Sequence, residues 1–285
     1  MSAEQKDGRT SIALVLGSGG ARGLAHIGVI ERLLESDYRI DYISGCSMGA
    51  LVGGIYAAGK MDVYKEWARG LERRDVLSLL DIAIGRAGLL KGEKVIGVLT
   101  ELIGDHRIED LPIGYTAVAT DLLEQKEVWL NRGRLFDAIR ASIAIPTVFT
   151  PHRIRGRLLV DGGLLNPIPI APALNHETDL IVAVNLNAAR TERRRGGPRL
   201  EEAKEGDGKG EIPGIFDIMS LSMDTMQNAI ARLKLAGYSP DLVVDVPRDA
   251  CSFYEFYRAD ELIALGRECA SRALARLEGK KNGDA

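Results

Sequence analysis

A chain of 285 residues, 46% of them hydrophobic, can bury a substantial core and suits one generous α/β domain better than two small ones. Its formal net charge of −3 obliges no face to be basic, which argues against nucleic acid as a partner. Three cysteines, Cys46, Cys251 and Cys269, occur without any CxxC pair. They are too few and too scattered for a disulfide framework or a zinc site, so a reducing, cytoplasmic setting is expected.

The polar opening Met1 to Thr10 leads into the apolar run Ile12 to Leu16. That run is too short for a signal-peptide core and reads as a buried strand. A helix is predicted over Gly23 to Glu35, with Leu24, Ile27, Ile30, Leu33 and Leu34 on one face. A strand at Tyr42 to Ser44 follows, then helices over Met48 to Ala58, Asp62 to Leu80 and Gly92 to Ile103. The stretches Tyr115 to Thr120 and Glu127 to Leu130 are rich in β-formers, and Arg157 to Val160 reads as a short strand. Leu180 to Leu186 and Leu242 to Val246 read as buried strands, and Asp260 to Leu277 as a closing helix. This alternation predicts an α/β fold with a mostly parallel sheet and helices on both faces.

Ala189 to Gly214 breaks the rhythm, being rich in Arg, Glu, Lys and Gly. It buries too little to order itself and is expected to be a mobile surface loop. A sharper reading makes it a lid whose Arg193, Arg194 and Arg195 meet anionic lipid headgroups. The whole of 1–285 is expected to be one domain, with a motif-bearing core at 9–186, the charged loop at 189–214 and a C-terminal part at 215–278. No run approaches the ~18 consecutive apolar residues that span a bilayer, so any lipid is met from outside.

Three motifs carry chemistry. The run Tyr42-Ile43-Ser44-Gly45-Cys46-Ser47-Met48-Gly49-Ala50 reads as strand, sharp turn and small-residue helix. A nucleophile elbow needs that shape, with Gly45 and Gly49 clearing space around Ser47; the competing reading is a tight glycine turn with an inert serine. Cys46 is read as a packing residue that points away. A serine nucleophile needs a base, and the four histidines are poorly placed for one: an α/β-hydrolase triad puts its histidine late in the chain. His26 lies on a structural face of the first helix, and nothing follows His176, which sits in a polar turn.

Asp161, in Leu158-Leu159-Val160-Asp161-Gly162-Gly163, is the alternative base. It ends an apolar strand, where α/β sheets place their sites, and Gly162 and Gly163 allow close approach of a backbone or substrate. Taken alone, the motif reads better as an ordinary Asp-Gly turn. Between the first strand and helix lies Gly17-Ser18-Gly19-Gly20-Ala21-Arg22-Gly23. Such turns aim N–H groups at an anion. A nucleotide loop fits only loosely, with Arg22 at the third glycine and no Walker lysine. The same loop, Gly19, Gly20, Ala21, Arg22 and Gly23, suits an oxyanion hole, with Arg22 anchoring the loop or attracting a phosphate headgroup.

These motifs, in this order, resemble the patatin-like phospholipase family, most strongly its bacterial members and the catalytic domain of neuropathy target esterase. Ala141-Ser142-Ile143-Ala144-Ile145-Pro146-Thr147-Val148-Phe149-Thr150-Pro151 and Gly163-Leu164-Leu165-Asn166-Pro167-Ile168-Pro169 look like the family too. The similarity spans Ser11 to Leu186 and, more loosely, Ser252 to Gly266. Ser18 departs from it, standing where a further glycine is frequent, which leaves the set of oxyanion donors open. The resemblance implies a three-layer α/β/α fold, a Ser47–Asp161 dyad without histidine, and hydrolysis of acyl esters in a lipid or lysophospholipid met at a membrane surface. An acyltransferase and a non-enzymatic lipid-binding protein are the rival readings. No cofactor or metal is expected, since no EF-hand loop or acidic cluster appears.

Overall fold

The computed structural model describes residues 8–79, 90–189 and 214–283. In chain order it holds β1 (Thr10–Leu16), α1 (Ala25–Leu34), β2 (Tyr38–Cys46), α2 (Met48–Ala57), α3 (Met61–Arg69), α4 (Arg73–Ser78) and α5 (Glu93–Ile103). Then come β3 (Gly114–Asp121), β4 (Lys126–Leu130), α6 (Leu135–Ser142), β5 (His152–Ile154) and β6 (Arg157–Asp161). The chain continues through β7 (Leu180–Ala188), α7 (Ile215–Tyr238), β8 (Leu242–Pro247) and α8 (Ala259–Gly283).

β1 is the centre of the sheet because its run of apolar residues can be buried on both faces. Ile12, Leu14 and Leu16 join the large core formed with α1, α2 and α8. Ala13 and Val15 face a smaller core with Ile168, Ile170, Ala183 and Ala231 of α7. The result is a three-layer α/β/α arrangement. β3, β2, β1, β7 and β8 run parallel in that order, while β4 and β6 pair antiparallel with β3, and β5 with β6.

The pairing along β3 positions everything that follows. β4 takes one edge of β3 from Ala117 to Asp121. On the other edge β2 runs as far as Cys46, opposite Val118. β6 then takes over, with Asp161 opposite Ala119. One strand leaves and another enters within a single residue step.

The expected helix over Asp62 to Leu80 is two helices, α3 and α4, broken by Gly70-Leu71-Glu72; Leu80 lies outside the described residues. β2 begins earlier than the sequence suggests, at Tyr38. α6 and α7 were not legible from periodicity. α7 leaves Ile218, Met219, Leu221 and Met226 exposed, so its apolar residues make no single stripe. The reading of 189–214 as a charged loop, with Arg193 to Arg195, falls outside the described residues except at its two ends.

α8 closes over α1 through two glycines. A Cβ on Gly28 would lie 1.9 Å from the Ile263 carbonyl oxygen, and one on Gly266 would lie 2.0 Å from that of Ala25. Gly28→Ala should therefore force the helices apart and cost about 1–3 kcal/mol, read as a lower midpoint in urea unfolding.

Candidate active site

At the end of β2 the chain turns sharply into α2. Ser47 occupies the turn at φ 54°, ψ −122°, a conformation that costs a non-glycine residue of order 1–3 kcal/mol and is found where surrounding structure enforces it. The enforcement is visible. The Ser47 carbonyl accepts from Ala50 and Leu51 N–H at 3.0 and 3.1 Å, starting the helix. The Ser47 N–H donates to Ser142 Oγ at 2.9 Å, and that hydroxyl donates to the Val118 carbonyl at 2.6 Å. Gly49 permits the turn, since a Cβ there would sit 2.0 Å from the Leu16 carbonyl oxygen. Gly45 clears the other side, 2.4 Å from the Gly49 carbonyl oxygen by the same measure. The positive end of α2 thus lies directly beneath the serine.

Asp161 arrives on β6 and is 2% exposed. Its backbone N–H donates to Ala144 O at 2.9 Å. Its Oδ1 accepts from Gly163 N–H at 2.7 Å and lies 3.8 Å from the Cys46 thiol. Oδ2 is buried without a hydrogen bond of full geometry; the Ser47 hydroxyl nevertheless interacts with the carboxylate strongly enough to lower its pKa. Burial outweighs this and the other donors and pushes the carboxyl up to about 6. Gly162 lets β6 come in, because a Cβ there would lie 2.2 Å from the Val118 carbonyl oxygen. Cys46, expected to point away, instead places its buried thiol against Asp161, because β6 enters the sheet directly past the end of β2.

The glycine loop splits its roles. Gly17 N–H is held by Val184 O at 3.1 Å, Ser18 N–H by Pro167 O at 2.9 Å and Ala21 N–H by Phe253 O at 2.9 Å. Gly19 and Gly20 N–H have no partner among the described residues, which leaves them as the free donors of the loop. Of Ala21, Arg22 and Gly23, the first is withdrawn from the expected donors by its bond to Phe253 O. They form a 3-10 turn in which Gly23 packs against Met48. The buried Arg22 guanidinium donates to Gly19, Leu186 and Arg248 carbonyls at 3.1, 3.0 and 3.1 Å, so it anchors the loop. Ser18 costs the loop no donor, since its N–H is already spent on Pro167.

A cleft of about 920 Å³, counting its open mouth, runs from Gly20 and Ser47 between α3 and α5. Tyr64, Trp67, Ala68, Leu99, Ile143, Phe149 and Phe253 form much of its wall, and no charged side chain lines it among the described residues. None of the histidines is hydrogen-bonded to Ser47 or Asp161. His26 is fully buried with Nε2 2.9 Å from Gly17 O and is held neutral by burial, its pKa lowered to about 4. His176 stacks on Tyr42 at 3.5 Å. His106 bonds to Ile103 O, and His152 lies on β5.

Sequence reasoning had no role for Ser142, Phe253 or Gln227. Gln227 of α7 lies 3.4 Å from Ser18 Oγ. A polar residue at the end of α6, beside small and apolar neighbours, was the available signal for Ser142.

A parallel sheet that presents a serine in a strand-to-helix elbow defines the serine-elbow class of α/β proteins. Comparison narrows the class: the model of the family described as Patatin-like phospholipase matches residues 14–174, more than half of the chain, and the chain belongs to that family. An uncharacterized NTE family protein of Mycobacterium bovis is 42% identical over 332 aligned positions, covering 94% of this chain and 92% of the relative. Patatin-like phospholipase domain-containing protein 7 of mouse is 30% identical over 185 positions, covering 62% of this chain and 14% of that protein. The crystal structure of VipD from Legionella pneumophila gives a TM-score of 0.41 at 14% identity, covering 93% of this chain and 67% of that one.

A carboxyl raised from 3.8 to about 6 favours the fold fully below its unfolded pKa, and that contribution is lost as pH rises through 6. Asp161→Asn removes the loss while keeping an oxygen for Gly163 N–H. It should raise stability by up to ~3 kcal/mol at pH 8 and by far less at pH 4, about 0.5 kcal/mol, measured by thermal unfolding at the two pH values.

Proposed function

We propose that the chain is a serine lipid acyl hydrolase working through a Ser47–Asp161 dyad. The observation that carries the reading is a strained serine that lines an apolar cleft and interacts with a buried carboxylate. Asp161 takes the proton from Ser47 Oγ as Oγ bonds to the ester carbonyl carbon. The carbonyl oxygen, now negative, is received by the N–H groups of Gly19 and Gly20 and the positive end of α2, each such donor contributing ~3 kcal/mol. Asp161 returns the proton to the leaving alcohol as the C–O bond breaks, leaving an acyl-Ser47. Water then attacks, losing its proton to the same carboxylate, and Ser47 leaves reprotonated.

The acyl chain occupies the cleft and the headgroup stays at the mouth, which suits a substrate taken up at a lipid surface. Among the described residues no helix is long and apolar enough to cross a membrane.

A fluorophosphonate probe should label the wild type and not Ser47→Ala; persistent labelling of the variant removes the reading. Since Asp161 must be ionised to accept the proton, kcat/KM should rise with pH along an acid limb near 6. Across a series of acyl esters, kcat/KM should increase about threefold to fourfold for each added CH2 until the cleft is full. Ala68→Phe, which narrows the cleft, should move that optimum to shorter chains, a shift read directly from the same series.

A further inference from the structure

We infer that Ser142 is a positioning residue for the reaction, its hydroxyl holding Ser47 in its strained turn opposite Asp161. The inference rests on the dyad reading above.

Ser142 is the last residue of α6 and is fully buried. A serine in a helix ordinarily points to solvent or bonds back to a carbonyl of its own helix. This one does neither. It donates to the Val118 carbonyl at 2.6 Å and accepts the Ser47 N–H at 2.9 Å, which uses its proton and a lone pair on two different elements. Both partners need it. Val118 is the residue of β3 at which β2 departs, and Ser47 is the first residue to have departed. The hydroxyl therefore stands between a strand carbonyl at the end of one pairing and the N–H of the turn that ended it.

Two residues on, the Ala144 carbonyl accepts the Asp161 N–H at 2.9 Å. The end of α6 thus holds the backbone of the serine through a side chain and the backbone of the aspartate through the main chain. The backbone positions of Ser47 and Asp161 are both held by one three-residue segment. Removing the Ser142 hydroxyl frees Ser47 from the bond that opposes relaxation of its φ of 54°, and a displacement of about 1 Å at a reacting atom is worth on the order of 10²-fold in rate.

The test compares Ser47→Ala, Ser142→Ala and Ser142→Cys on a short-chain ester, with KM and kcat separated and the pH profile recorded. Ser142→Ala is expected to lose on the order of 10² in kcat with KM within about threefold, because the cleft is untouched, and Ser142→Cys to lie between it and wild type. The acid limb should also move to higher pH in Ser142→Ala, since a displaced Ser47 no longer gives Asp161 the hydroxyl that lowers its pKa while the carboxyl stays buried. A merely loosened site would admit water and move the limb the other way. Wild-type kcat in Ser142→Ala, or a limb displaced downwards, overturns the positioning role and leaves the dyad standing. Should Ser142→Ala fail to fold, Ser142→Cys decides: an unchanged kcat and limb overturn the role. Activity surviving in Ser47→Ala would overturn both readings together.

Discussion

The edge of β3 is the constraint on which the site depends. A sheet edge can be occupied by one strand at a time, and here it changes hands between Val118 and Ala119. β2 must leave for β6 to enter, and the residue that leaves is Ser47 while the residue that arrives is Asp161. Their proximity is a property of the sheet pairing and owes nothing to a flexible loop. The glycines follow from the same requirement. Gly49 lets the departing chain pass the end of β1, and Gly162 lets the arriving chain cross the Val118 carbonyl. The chain beyond Asp161 then binds back across the sheet, with Pro167 O holding Ser18 N–H and Pro169 O accepting from Ser44 Oγ at 2.6 Å. The glycine loop, the elbow and the aspartate segment are fastened to one another as well as to the core.

Burial of Asp161 has two faces. An aspartate in water is too weak a base for an alcohol, and removing it from water raises its basicity. The same removal costs the fold stability at neutral pH, because an ionised carboxylate with an orphan Oδ2 sits where solvent cannot reach. The Ser47 hydroxyl, the Gly163 N–H and the Cys46 thiol moderate the cost, and among the described residues no cation pairs with the carboxylate. A full salt bridge there would stabilise the carboxylate and weaken it as a base.

Much of this was legible in the sequence. Apolar runs located β1, β2, β7 and β8, and the order of glycine loop, serine elbow and Asp-Gly-Gly pointed to the family. The parts that escaped share a physical cause. α6 is only eight residues long, and α7 presents exposed apolar residues around its N-terminal half, so neither shows a clean helical stripe. Ser142 and the Cys46 thiol act through contacts between residues far apart in the chain, set by which strand follows which along β3. The donors of the glycine loop that stay unengaged escaped for a similar reason. Spacing shows which N–H groups exist, and only the fold shows that those of Gly17, Ser18 and Ala21 are already engaged.

The neutral imidazole of His26 has a consequence for how the fold responds to acid. Its pKa lies near 4, below the ordinary 6.5, so as pH falls through that interval the unfolded chain takes up a proton that the native state refuses. Asp161 does the reverse over nearly the same interval, with the native state protonating near 6 and the unfolded chain near 3.8. The two proton uptakes oppose each other and are of similar size. Between about pH 4 and 6 these two groups therefore leave folding nearly indifferent to pH. Asp161 can ionise there with little net change in the stability of the scaffold that holds it.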